Sequence, residues 1–332
     1  MSATARALVA PDDFKGTFTA PEVAGALARG LRDGGLEADE LPVADGGNGS
    51  TAAVVAARGG EIRTATVSDA YGAPVEARWG LLPDGTAVIE MAEPSGLWRV
   101  PEEQRTPENA WLATTRGTGE LIAEAARAGA QRVLVAVGGS ATSDGGQGAV
   151  EALDAAGVDV PIQVMCDVRV VFEDCAKVFG PQKGADPEMV ERLTARLHEQ
   201  AERMPKDPRG VPMTGAAGGL SGGLWAWRGA SLEPGAAFVL DTVGFDARMR
   251  GAALVVTGEG SMDEQTLTGK AVAEVATRAR QGGVACHVVV GRNNLDPMRA
   301  RVLDLASVRE ATDLDELTEA GRLIAAEFLR GS

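Results

Sequence analysis

The sequence predicts an α/β protein with two domains, and three observations support this prediction. At 332 residues the chain is longer than one hydrophobic core usually organises. Apolar runs of strand length alternate with helical stretches along most of the chain. Residues 61–92 differ, because apolar and polar side chains alternate on both sides of a Pro83-Asp84-Gly85 turn, which is typical of a half-exposed antiparallel sheet. We therefore expect a domain change near residue 62 and a return to the first pattern after residue 251.

Local signals indicate where the individual elements lie. Thr19 is the expected N-cap of the first helix, with Pro21 in the first turn and Glu22 completing a capping box. Besides the antiparallel region, strands are expected at residues 7–10, 41–44, 133–137, 163–166, 254–257 and 287–290. Helices are expected at residues 51–58, 119–128, 149–156, 189–204, 271–280 and 314–329.

Composition argues against several classes of partner. A net charge of −15 makes nucleic acid and anionic membranes poor partners, and 4% aromatic residues argues against a stacking surface. The three cysteines, Cys166, Cys175 and Cys286, form no CxxC pair, which fits a reducing compartment. No apolar run approaches the ~18 residues of a membrane span, and no targeting leader precedes the first strand. We expect a cytoplasmic protein.

Residues 258–270 are the most informative stretch of the chain. They follow an apolar strand, precede a helix and carry Glu259, Asp263, Gln265 and Lys270 among glycines. A loop at the carboxyl end of a strand, next to a helix N-terminus, is where α/β enzymes bind polyanionic ligands. The lysine does not belong to a Walker A element, because an alanine follows it where a hydroxyl residue is required.

Acids and lysines recur in other glycine-rich loops, usually at strand ends: Asp12, Lys15, Asp45, Asp144, Asp167 and Lys183. Any one of them could be a solvated loop charge or a helix N-cap, and Asp144 could simply cap the helix that follows it. Together they favour a site in which acids hold Mg²⁺ or accept a proton and lysines neutralise phosphate. The uncharged run 215–223 is either a flexible linker or a phosphate cradle.

Transition-metal and triad chemistry receive little support. His198 and His287 have no partner at ligand spacing, and no GxSxG elbow is present. An NAD-type oxidoreductase is also disfavoured, because no strand leads into GxGxxG with an acid ~20 residues further on. The residue pattern thus indicates an enzyme acting on a phosphorylated or phosphate-accepting small molecule, without naming the reaction.

Eight segments resemble the bacterial glycerate kinase family, the two-domain type unrelated to P-loop kinases. They run in family order from about residue 8 to residue 292 and comprise residues 10–16, 42–47, 87–92, 117–122, 138–146, 178–185, 215–220 and 258–270. One glycine-rich motif alone would be weak evidence, but eight in order are highly specific.

The resemblance implies a fold and a reaction. The fold has two α/β domains with the active site in the cleft between them. One is Rossmann-like, with a parallel sheet formed by both chain ends (1–62 and 252–332), and the other is inserted (63–251) and has a mixed sheet. The reaction is ATP-dependent phosphorylation of a hydroxyl of glycerate, or of a related small hydroxy acid, with Mg²⁺. The protein would be a monomer or a homodimer.

The resemblance also implies roles for particular residues. Candidate catalytic residues are Asp45, Asp263, Lys15 and Lys270. Candidates for binding substrate or phosphate are Asp12, Asp13, Asn48, Ser140, Lys183, Glu259 and Gln265. Asp144 and Asp167 are candidates for holding Mg²⁺.

This chain departs from the family pattern in several of these loops. Asp13 stands where the family usually has serine, and Asn48 where it usually has glutamate, so one carboxylate has moved from one loop to another. The segment 169–175 looks shortened relative to the family. These departures motivate an alternative function: an altered paralogue that binds or senses a sugar acid.

Overall fold

The structure is a computed structural model that describes residues 5–14, 16–264 and 266–331. Its strands, numbered in chain order, are β1 (Arg6–Val9), β2 (Glu37–Glu40), β3 (Glu61–Ser68), β4 (Pro74–Leu81), β5 (Thr86–Glu90), β6 (Arg132–Ala136), β7 (Ile162–Met165), β8 (Ser231–Glu233), β9 (Leu254–Met262), β10 (Ala285–Asn293) and β11 (Ser307–Glu310).

The helices are α1 (Ala20–Asp33), α2 (Ser50–Arg58), α3 (Ala92–Ser95), α4 (Pro107–Leu112), α5 (Arg116–Arg127), α6 (Gln147–Ala156), α7 (Cys175–Phe179), α8 (Pro187–Arg203), α9 (Leu220–Arg228), α10 (Gly235–Thr242), α11 (Phe245–Met249), α12 (Ala271–Gln281), α13 (Pro297–Ala300) and α14 (Leu314–Gly331). Within the described ranges, no helix is both long and apolar enough to cross a membrane. The chain divides into two compact units, Met1–Asp45 with Ala236–Ser332 and Gly46–Gly235.

The first unit is built from both chain ends around a five-stranded sheet in the order β11-β10-β9-β1-β2. All of its strand pairs are parallel, as the resemblance implies. α1 and α14 pack closely: a Cβ added at Gly30 would lie 1.8 Å from the carbonyl oxygen of Thr318. A side chain there would force the two helices apart. α1 begins as predicted, with a Glu22 carboxylate oxygen accepting the N–H of Thr19 at 2.8 Å.

The second unit contains a six-stranded sheet in the order β3-β4-β5-β6-β7-β8. Its first three strands pair antiparallel and its last four pair parallel, so the mixed sheet is confirmed. α5 and α6 pack on each other through Gly119, where an added Cβ would lie 2.3 Å from the carbonyl oxygen of Ala149. Apolar side chains of these helices and of β5 to β7 form the core.

The units divide about one helix away from the boundaries expected near residues 62 and 251. α2 packs against β4 of the second unit, since a Cβ added at Gly80 would lie 2.5 Å from Val55 Cγ2. α10 and α11 are tied to α12 of the first unit, because Arg278 forms ion pairs with Asp241 and Asp246 at 2.5 and 3.4 Å. The change in sequence pattern marks the edge strand β3 rather than the point where packing changes.

Two predicted strands need correction. β2 spans Glu37–Glu40 rather than residues 41–44, because this sheet-edge strand is polar and gives no apolar signal. The chain still follows β1 beyond it, and the N–H of Leu41 donates to the carbonyl of Val9 at 2.8 Å. β9 continues to Met262, where it pairs with Asn293 of the equally long β10. Glu259 therefore lies within a strand, not in a loop.

Candidate active site

A cavity of ≈ 480 Å³ lies in the first unit, next to the carboxyl ends of β1, β10 and β11 and against the last part of β9. This is the edge of a parallel sheet at which α/β proteins bind ligands. We call it the first-unit pocket; it is lined by Asp12, Asp13, Phe14, Thr17, Glu259, Gly260, Ser261, Asp263, Lys270, Gly291, Arg292 and Thr312.

Glu259 is the buried centre of the acidic side of this pocket. One of its carboxylate oxygens accepts a hydrogen bond from Thr266 Oγ1 at 2.6 Å, and the other lies 3.8 Å from Lys270 Nζ. Thr266 Oγ1 also accepts the N–H of Asp263 at 3.0 Å. Thr266, which the sequence reasoning missed, thus fixes the turn that presents Asp263 and Lys270.

Asp12 and Asp13 occupy the loop that follows β1. The N–H of Asp12 donates to the carbonyl of Gly258 at 2.9 Å, which anchors the loop to β9. Asp13 Oδ1 accepts the N–H of Ala20 at 2.6 Å, so Asp13 satisfies a free donor at the start of α1. The carboxylate at position 13 thus has a structural partner in this chain.

Arg292 is a second cation of the first-unit pocket and was not anticipated from the sequence. It is exposed at the end of β10, beside Ser261 of β9 in the strand register. Its guanidinium makes no ion pair with any residue in the part of the chain that the structure describes. The only sequence signal was its position directly after Gly291 at a predicted strand end.

The donor chemistry of this pocket fits Mg²⁺ held together with a phosphate. Asp12, Asp13, Glu259 and Asp263 supply carboxylate oxygens, which Mg²⁺ prefers. No group of three acids, histidines or cysteines poised to hold a metal occurs among the described residues. Mg²⁺ is commonly bound by one or two carboxylates together with substrate phosphates, and the acids of this pocket are donors of that type.

In the second unit, the carboxylate of Asp144 is fully engaged in hydrogen bonds with protein donors. Its carboxylate accepts hydrogen bonds from the Oγ1 atoms of Thr114 and Thr115 and from the backbone N–H groups of Thr115, Gly146 and Gly148, at 2.8 to 3.2 Å. It therefore ties the start of α5 to the start of α6. This geometry favours the helix-capping alternative over the Mg²⁺ role.

Lys183 and Ser140 do come together. Lys183 lies in a short 3-10 turn, Pro181–Lys183, and only 4% of its surface is exposed. Its Nζ donates to Ser140 Oγ at 2.9 Å and to the carbonyl oxygen of Thr142 at 2.5 Å. Burial lowers the pKa of Lys183 to about 8, against the opposing influence of Cys175 and Asp144.

The loop that begins the second unit is held by Glu90, another residue that sequence reasoning did not single out. Glu90, at the end of β5, accepts the N–H of Thr51 at 2.8 Å. Burial raises the pKa of Glu90, although hydrogen bonds from Thr51 and Gly49 oppose the shift. The carboxylate thereby fixes the turn that carries Asn48, which is exposed. Glu90 belongs to one of the eight motif segments, which was the available signal.

Three further candidates do not line the first-unit pocket, and two others lie outside the described residues. Asp45 and Asp167 are half-buried, and neither they nor Asn48 line the first-unit pocket. Lys15 and Gln265 lie outside the described residues. The run 215–223 is neither an exposed linker nor an open cradle, since it forms the buried turn Ala216–Gly219 and the first residues of α9.

Comparison with known proteins defines the class. A sequence model of the glycerate kinase family matches residues 7–160 and 154–322. The chain is 36% identical to the glycerate 2-kinase of Escherichia coli (strain K12) over 98% of each chain. It is 38% identical to the glycerate kinase of Bacillus subtilis (strain 168), over 87% of this chain and 85% of the relative.

A solved structure gives the same result. The crystal structure of a candidate glycerate kinase 2 from Salmonella typhimurium LT2 superimposes with a TM-score of 0.83, at 33% identity and over 99% of each chain. The fold and the sequence together define a kinase-like phosphotransferase. The chain belongs to the glycerate kinase family.

Proposed function

We propose that this protein transfers the terminal phosphoryl group of ATP to a hydroxyl of glycerate and so produces a phosphoglycerate. The observation that carries the proposal is its similarity to glycerate kinases over nearly the full chain. The first-unit pocket supports it, because acids and cations converge there at the edge of a parallel sheet.

In this proposal the first-unit pocket receives the phosphates of ATP. Phosphoryl transfer depends mainly on positioning and on neutralising negative charge. Lys270 and Arg292 supply positive charge, and Glu259 keeps the Lys270 side chain in place. Asp12 and Asp263 are the acids that would hold Mg²⁺, which supplies further charge neutralisation when it is bound to the nucleotide.

Asp45, Asp263 and Lys15 remain proposed catalytic residues. The group that accepts the proton of the attacking hydroxyl must lie within hydrogen-bonding reach of it in the complex. Asp45 is the proposed acceptor, and Asp263 acts through the Mg²⁺ that it would hold. In the second unit, Lys183 and Ser140 are proposed to bind an anionic group of the acid substrate, while Asp144 holds the loop that carries Ser140.

The alternative of a non-catalytic sugar-acid sensor is not favoured. The departure at Asp13 that motivated it has a structural role, because Asp13 accepts the N–H of Ala20 at the start of α1. The full-length relatives named above are described as kinases.

The direct test is ADP release from Mg·ATP in the presence of D-glycerate, with the product separated as 2- or 3-phosphoglycerate. We expect turnover that depends on both glycerate and Mg²⁺. A pure preparation that binds nucleotide yet phosphorylates no glycerate-like acid would contradict the proposal.

A further inference from the structure

Lys183 belongs to a largely buried group of polar and charged side chains whose charges do not sum to zero. We call it the second-unit cluster and define it as Ser140, Asp144, Cys175, Lys183 and Arg196. Lys183 interacts electrostatically with Asp144 and Cys175, and so does Arg196. Burial raises the pKa of the Cys175 thiol to about 12, so this cysteine is neutral near pH 7. With both cations protonated, two positive charges therefore face the single negative charge of Asp144.

Neither cation has a carboxylate within ion-pair distance among the described residues. The Arg196 guanidinium donates to the carbonyl oxygens of Trp111 and Ser143 at 2.9 and 2.7 Å, and its buried Nε has no partner in that part of the chain. Asp144 is occupied by the hydroxyl and N–H donors of α5 and α6. A buried charge without a counterion is costly, so the cluster is completed by one added negative charge.

Donors for that charge are present at the carboxyl end of β6. An ammonium has three N–H donors, and the described contacts of Lys183 use two of them. No acceptor among the described residues bonds the backbone N–H of Gly139 or Ser140. Gly139 has φ +73°, a left-handed conformation that helps successive N–H groups to form an anion-binding concavity.

We infer that Lys183 and Ser140, with the N–H groups of Gly139 and Ser140, bind the carboxylate of the acid substrate. This inference rests on the proposed function. It assigns the site to the carboxylate group rather than to a phosphate group. A carboxylate carries the single negative charge that the cluster lacks, whereas a phosphate would bring nearly two. Binding a carboxylate also needs no metal, and the one acid of the cluster, Asp144, is already hydrogen-bonded.

Carboxylate binding has a measurable consequence at Lys183. Without ligand, Lys183 loses its proton as the pH rises through about 8. A carboxylate beside Nζ favours the charged form and raises that pKa. Cys175 and Asp144 act in the same direction. Near pH 8.5 the acid should therefore bind together with a proton taken from the buffer.

The test is calorimetric titration of D-glycerate into the full chain, with ADP and Mg²⁺ present throughout, at pH 8.5. Three buffers with different ionisation enthalpies report proton uptake. We expect the binding enthalpy to vary linearly with the buffer enthalpy, with about half a proton or more taken up per acid bound. Lys183→Met should abolish that dependence and weaken binding about 10- to 100-fold.

Lys177→Met is the matched control, because Lys177 lies on α7 and is 61% exposed. It should behave like the wild type. Wild-type binding without buffer dependence, or unchanged binding by Lys183→Met, would overturn the inference. If Lys183→Met does not fold, Ser140→Ala takes its place and should bind about fivefold more weakly while proton uptake persists. Unchanged affinity in Ser140→Ala would also overturn it.

The two proposals can fail separately. Wild-type protein that binds D-glycerate with proton uptake, yet forms no phosphoglycerate from ATP, would remove the proposed function and leave the carboxylate site. Wild-type protein that phosphorylates D-glycerate without proton uptake on binding would remove the carboxylate site alone.

Discussion

The first-unit pocket and the second-unit cluster use similar residues in different ways. Both combine acids with a lysine, and both include a glycine-rich loop at the carboxyl end of a parallel strand. In the pocket, Glu259, Asp263 and Lys270 border a cavity of ≈ 480 Å³. In the cluster, Asp144 and Lys183 are 7% and 4% exposed and are bonded mainly to uncharged groups.

The comparison shows that an acid in a glycine-rich loop can have either a ligand-binding role or a structural role. Asp263 lines a cavity where it can meet a ligand, whereas Asp144 replaces the missing partners of two helix starts. The two roles predict different outcomes when the acid is replaced. Loss of a ligand-facing acid should lower turnover, and loss of a helix-tying acid should lower the free energy of unfolding.

The largest expected effect is on the free energy of unfolding and comes from replacing Asp144, the structural acid. Asp144→Asn keeps the shape but removes an acceptor oxygen from a buried site with five donated hydrogen bonds. We expect a loss of about 3 kcal/mol or more in the free energy of unfolding, measured in urea, because donors are left unpaired. Glu151→Gln, on the exposed face of α6, is the control and should change stability little.

The next largest effect concerns Lys270 in the first-unit pocket. Lys270→Ala should lower kcat about 100-fold or more, because a group that stabilises charge in the transition state is removed. The melting temperature should change little, since Glu259 keeps its hydrogen bond from Thr266. Arg299→Ala, which breaks an exposed ion pair with Glu264, is the control. Equal loss of folding and turnover in Lys270→Ala would indicate a structural ion pair instead.

Lys183 should make stability depend on pH. Its pKa falls from 10.5 in the unfolded chain to about 8 in the folded one. Between these values the unfolded chain binds more protons, so the stability contributed by this residue rises with pH. Relative to Lys183→Met, the wild type should thus gain about 2 kcal/mol between pH 7 and 9.5.

Urea unfolding of both proteins at the two pH values measures this difference. Lys177→Met, at an exposed position, supplies the baseline. A stability difference between wild type and Lys183→Met that is the same at pH 7 and 9.5 would mean that the buried lysine does not titrate in this range.

The smallest effect is expected at Asp13. Asp13→Ser restores the residue usual in the family and keeps an acceptor for the N–H of Ala20. We expect less than about 1 kcal/mol change in the free energy of unfolding. In kcat/KM for glycerate, we expect the effects of Asp13→Ser and Asn48→Glu to be independent of each other. A double variant much more active than the sum of both would show that the positions act together.

Much of the fold was predictable because the buried strands and amphipathic helices are strongly patterned. β2 was misplaced since a polar edge strand carries no apolar run, and the extension of β9 depends on pairing with β10, which no local signal reveals. Grouping of Glu259, Asp263 and Lys270 was foreseen from one contiguous stretch. The role of Asp144 could not be decided, because its donors at Thr114 and Thr115 are distant in sequence.

The most direct test applies the same chemical change to both acids. Asp263→Asn and Asp144→Asn are compared with the wild type for kcat on D-glycerate and for the free energy of unfolding. We predict that Asp263→Asn loses about 100-fold in kcat and stays within ~1 kcal/mol of wild-type stability. Asp144→Asn should lose several times more stability than Asp263→Asn. An Asp144→Asn protein of wild-type stability that has lost Mg²⁺-dependent turnover would contradict this account.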